Sequence, residues 1–174
     1  MRSPARRKFI QAGLAGTALL ALARWIDRPL AAAAPAPNRF LDARGARTVA
    51  ALVPIILAGA LPTAEAARHS AIAEVVAAFD RAVSGLAIPV QSEIGELFSF
   101  LHTAPLRIAF AGLWKPVEES TPEQVRDFLL RWRDSRFDLQ RASYRALTQL
   151  IQAAWYGNSA SWPGIGYAGP PAVG

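Results

Sequence analysis

The stretch "TPEQVRDFLLRW", Thr121–Trp132, decides the fold class. Thr121 can accept a hydrogen bond from the first free amides of a helix, and Pro122 suits the first helical position, where its missing N–H costs nothing. Gln124 completes a capping box, with its side chain reaching back to the Thr121 amide. Beyond this start, Val125, Phe128, Leu129 and Trp132 recur at steps of three and four, so they share one face. Downstream, Tyr144, Leu147, Ile151 and Trp155 continue a stripe at the same spacing. Asp127, Arg131, Asp134, Asp138, Arg141 and Arg145 run opposite it. Such a ladder reads first as a solvated face of weak pairs, each contributing about 0.2–0.5 kcal/mol, and otherwise as an ion-pairing surface for a partner.

Upstream the pattern repeats. Ile72, Val75, Val76, Phe79, Val83 and Leu86 mark one helical face, stopped by Gly85 and Pro89. Val90, Ile94, Leu97, Phe98 and Leu101 mark another, which Pro105 interrupts before a short apolar segment from Leu106 to Leu113. The segment Val49 to Pro62 is apolar nearly all round and too short to span a bilayer, so it predicts a buried helix kinked at Pro54. No alternating run suggests a sheet, and no internal repeat is present. The expectation is an all-α helical bundle of four to six helices, with an irregular Gly/Pro/aromatic tail. Its divisions are a leader at 1–34, a linker at 35–40, a helical domain at 41–156 and an extended C-terminal tail at 157–174.

Charge separates the leader from the body. The 174 residues carry a formal charge of +6, of which residues 1–34 supply +5 (six basic, one acid) and residues 35–174 only +1 (13 basic, 12 acidic). The body is therefore nearly neutral, which removes the main support for nucleic-acid binding. "ARRKFIQAGLAGTALLALA" has the layout of an export signal: a basic start, an uncharged run from Ile10 to Ala23, and small residues at Ala31–Ala34. Arg6, Arg7 and Phe9 resemble a twin-arginine motif, although Ala5, Ile10 and Gln11 depart from its usual form. Cleavage is expected after Ala32 or Ala33, with an uncleaved anchor as the other reading. The implied location is periplasmic.

Catalytic constellations are not evident in the body. Cysteine is absent, which excludes disulfides, thiolate metal sites and iron–sulfur clusters. His69 and His102 are the two histidines, and neither stands in a Glu-x-x-His step of the kind that builds metal sites in bundles. His69 borders an apolar face, while His102 falls near a helix end, where a cation is mildly favoured. Ser92, Ser99 and Ser143 lack an elbow motif, and Glu118 and Glu119 read as solvated loop acids. The expected catalytic, metal and cofactor sites in this chain are none.

The last segment, "WYGNSASWPGIGYAGPPAVG" from Trp155, carries four large aromatics among glycines and prolines and holds no charge. A solvated linker would be polar and poor in rings. Ordering a segment costs about 1–2 kcal/mol per residue, and a buried ring returns about 2–3 kcal/mol, so this one needs a ready-made apolar surface. That surface is either its own bundle or a partner's groove, where Trp and Tyr are favoured anchors. Trp155, Tyr156, Trp162, Pro163, Ile165, Gly166, Tyr167, Pro170 and Pro171 are the expected interface residues.

Taken with the helical middle, "RRKFI" and "AAWYGN…SWPGIGYAGPP" resemble the small accessory subunits of periplasmic flavin-dependent dehydrogenases, the gluconate 2-dehydrogenase subunit 3 and sorbitol dehydrogenase small-subunit group. The likeness is sharp only in leader and tail. It implies a non-catalytic subunit that escorts, matures and stabilises a flavoprotein large subunit of the glucose–methanol–choline oxidoreductase type. FAD would then lie in that partner, the twin-arginine translocase would export both, and a cytochrome c subunit would often join the complex. A free-standing periplasmic lipid- or ligand-binding protein is the competing expectation. Changing Arg6 and Arg7 together to Lys is expected to strand the chain in the cytoplasm. Cell fractionation should show the partner's dehydrogenase activity stranded with it.

Overall fold

In the computed structural model, residues 40–162, 164, 166 and 167 are described. Six α-helices run through them: α1 (Ala43–Ile56), α2 (Glu65–Ser84), α3 (Ile88–His102), α4 (Ala104–Ala111), α5 (Pro122–Arg133) and α6 (Asp138–Tyr156). Two short 3-10 turns, Val117–Glu119 and Ser159–Ser161, complete the order, and no strand occurs among the described residues. The chain is an all-α bundle. Arg6, Arg7 and Phe9 of the leader lie outside the described residues.

The capping box at α5 forms as its sequence dictates. Thr121 Oγ1 accepts from the Gln124 amide at 3.3 Å, and Gln124 Oε1 accepts from the Thr121 amide at 3.0 Å. Val125, Phe128, Leu129 and Trp132 are all buried, as are Val75, Phe79 and Val83 of α2 and Leu147, Ile151 and Trp155 of α6. α1 packs against α2, α5 and α6, and its Val49, Leu52 and Val53 are fully enclosed. Rings meet edge to face through this core, Phe79 on Phe98 at 6.2 Å and Phe128 on Trp132 at 4.6 Å.

Three boundaries differ from the sequence reading. α1 starts at Ala43, not near Val49, because Asp42 caps it through a 2.6 Å bond from the Gly45 amide. Pro54 stands in its last turn, so the helix ends two residues later at Ile56 and does not continue bent towards Pro62. Phe40, assigned to the linker, belongs to the bundle: its ring meets Phe98 at 6.4 Å, and the Asp80 carboxylate accepts from the Phe40 and Leu41 amides at 2.9 and 2.7 Å. The ladder of charges is also divided. α5 ends at Arg133 and α6 begins at Asp138, so five of the six charged residues are split between two helices, Asp134 lies between them, and they do not form one face.

α3 and α4 turn sharply at Thr103, and α4 closes on Gly112, whose φ of +65° suits glycine. Arg107 of α4 is buried. Its guanidinium donates to the carbonyls of Trp114 at 3.1 Å, Leu113 at 3.3 Å and Leu101 at 3.4 Å, tying the end of α3 to the chain leaving α4. Replacing it with Met fills similar volume but strands three carbonyls. Arg107→Met is expected to lower unfolding free energy by about 2–4 kcal/mol in urea titrations. Arg107→Lys should recover only part of this, since one ammonium cannot span the fork.

Candidate functional site

The C-terminal segment is folded back onto the bundle as far as it is described. α6 ends at Tyr156, and Asn158 organises the turn beyond it: its Oδ1 accepts from the Ala160 amide at 3.0 Å, starting the 3-10 turn, while its Nδ2 donates to Glu74 Oε2 of α2 at 2.6 Å. Ser161 is buried, with its hydroxyl on the Asn158 carbonyl at 2.7 Å. Trp162 Nε1 donates to the Tyr156 carbonyl at 3.3 Å, and the Tyr167 amide donates to the Trp162 carbonyl at 3.0 Å. Gly166, at φ +68°, supplies the reversal that brings the Tyr167 ring edge-on to Trp162, 5.2 Å between centroids. The expected extended tail is, over these residues, a compact loop.

Its rings have different fates. Trp155 continues the buried stripe of α6 and belongs to the core, as its helical spacing dictates, so it is not available as an anchor. Tyr156 remains 41% exposed and Tyr167 48%, with Trp162 half-buried between them. Among the described residues, nothing lies within 4 Å of a Cβ placed at Gly164 or Gly166. Of the expected anchors, Trp162 and Tyr167 thus pair ring to ring, and the Trp162 indole bonds the main chain at Tyr156, whose own ring is exposed. Pro163, Ile165, Pro170 and Pro171 lie outside the described residues.

A second polar group escaped the sequence reading. Glu118, expected to be solvated, has a side chain only 10% exposed and accepts from Arg44 Nε at 3.0 Å and Thr48 Oγ1 at 3.3 Å. Thr48 Oγ1 also lies 3.0 Å from His102 Nε2, and Arg44 Nη1 donates to the His102 carbonyl at 3.1 Å. Thr48 is wholly enclosed, so this hydroxyl–imidazole–carboxylate group has no open nucleophile; it is a clasp joining α1, the end of α3 and the Val117–Glu119 turn. Each of its bonds joins residues at least 54 apart in sequence, which is why local pattern did not reveal it. His69, in contrast, is exposed on α2.

A shallow cavity of about 190 Å³ lies between residues 112–115 and α5, edged by Trp114, Gln124, Asp127 and Arg131. It falls below the roughly 300 Å³ at which clefts begin to enclose drug-sized ligands. Among the described residues no helix is long and apolar enough to cross a membrane.

The clasp sets an acid limit on stability. Burial, then the nearby Arg44 charge, lowers the His102 pKa from 6.5, overriding the preference for a cation at a helix end. Burial opposes ionisation of Glu118, but hydrogen bonds from backbone and Arg44, the Arg44 charge and the Thr48 hydroxyl outweigh it and lower its pKa from 4.5. In both cases the folded state binds fewer protons than the unfolded one, so stability falls on acidification. Thermal midpoints should begin to decline below pH 6.5 through His102 and again below 4.5 through Glu118. Glu118→Gln is expected to flatten the second decline and to deepen the first, because the Glu118 charge favours protonated His102.

Comparison with protein-family models, with curated proteins and with solved structures gives no match.

Proposed function

We propose that this chain is the non-catalytic small subunit of a periplasmic flavin-dependent dehydrogenase, and that its C-terminal loop docks the flavoprotein large subunit. The observation that carries this reading is the Trp162–Tyr167 ring pair, with Tyr167 and nearby Tyr156 exposed, on a loop held in shape by its own bundle. Half-exposed aromatic rings on a preorganised backbone are strong anchors, because little conformational freedom remains to be lost on binding. The twin-arginine-like leader at Arg6 and Arg7 supports an escort role, with FAD held by the partner and not by this chain.

Under this reading the bundle is the platform and the loop the contact. Co-expression with a signal-less flavoprotein of the glucose–methanol–choline type tests it. Truncation after Trp162 is expected to abolish co-purification while helical circular dichroism stays unchanged, since the buried Ser161 is retained. Tyr167→Ala should weaken binding about tenfold. Retained co-purification by the truncated chain overturns the proposal.

A further inference from the structure

The corner between α5 and α6 inverts the usual character of a surface turn. Phe137 is 55% exposed and Leu139 58%, whereas the polar side chains of the turn point to backbone and to one another. Ser135 Oγ accepts from the Phe137 amide at 3.0 Å and bonds Gln140. Gln140 Nε2 donates to the Phe110 carbonyl at 2.7 Å, and Arg141 donates to the Ser135 carbonyl. The hydrophilic groups hold the turn together and the apolar ones protrude from it.

The stretch of chain that runs through this corner is basic. Residues 131–145 hold five Arg and two Asp, a sum of +3, while residues 35–174 sum to +1, leaving −2 for the rest of the body. Both acids are engaged, Asp134 by Arg133 at 2.8 Å and Asp138 by Arg141. Arg136 and Arg145 make no ion pair among the described residues, and the Arg136 guanidinium lies 4.8 Å from the centre of the Phe137 ring. Trp114, 81% exposed, stands beside α5, where it shares the shallow cavity's rim with Arg131.

We propose that this corner is a membrane-contact site that seats Phe137 and Leu139 in the interface of an anionic phospholipid bilayer. Phe137 and Leu139 protrude from the corner, and a lipid surface yields to protruding side chains where a protein partner would need a matching hollow. Apolar side chains enter the headgroup–acyl boundary and neighbouring guanidinium groups meet the phosphates. This inference is independent of the C-terminal docking loop.

The leader is itself basic and can bind vesicles, so the readout must be local. The chain has no cysteine. In the full chain, Phe137→Cys labelled with a polarity-sensitive fluorophore reports on the corner alone. With vesicles of phosphatidylcholine and phosphatidylglycerol, its emission is expected to shift blue and to be quenched by acyl-brominated lipid, but not with phosphatidylcholine alone. Adding Arg136→Glu and Arg145→Glu should weaken this response by about thirtyfold or more. A silent label on vesicles that still sediment with the chain overturns the proposal, as does equal quenching on neutral lipid. A label that responds to the flavoprotein and not to lipid makes the corner a protein interface and overturns it too.

Discussion

The Glu118 carboxylate is the point on which the middle of this molecule turns. Between the end of α3 and the start of α5 the chain has one short helix and one 3-10 turn, with few large apolar side chains to bind it down. Arg44 and Thr48 of α1 fix the turn through Glu118, with Val117 beside it fully buried. That fixed turn sets where Thr121 begins α5. Removing Arg44 leaves the sheltered Glu118 carboxylate without its ion-pair partner, whereas Arg44, 35% exposed, keeps access to water. Position here rests on this polar clasp together with buried Leu113 and Val117, while the cores of α2, α5 and α6 rest on apolar packing.

The parts of the fold that were legible in the sequence depend on neighbours within one turn of helix. The capping box at Thr121, the stop at Gly85 and the interruption at Pro105 are all local chemistry, and each stands where its residues place it. The break between α5 and α6 was not legible, because it uses neither glycine nor proline; Asp134, Ser135 and Gln140 make it with side-chain and backbone hydrogen bonds. Buried Arg107 escaped for a related reason. An arginine in an apolar run looks misplaced until the three carbonyls around it are known.

The candidate docking surface was half visible. Composition alone marks the aromatic tail as something other than a linker, and spacing alone puts Trp155 on the buried stripe of α6. What composition could not give is the loop's shape, since that depends on Asn158 finding Glu74 across 84 residues of chain. Within the loop, the turn at Gly166 lets Trp162 and Tyr167 meet edge-on.

That construction separates two selective demands. Described contacts that hold the loop run through main-chain groups, the small polar residues Asn158 and Ser161 and the Trp162 indole, while Tyr156 and Tyr167 keep exposed ring surface. Substitutions at those outer rings can therefore retune which molecule is recognised without loosening the bundle. A lineage carrying this scaffold is free to change allegiance while its architecture stays fixed.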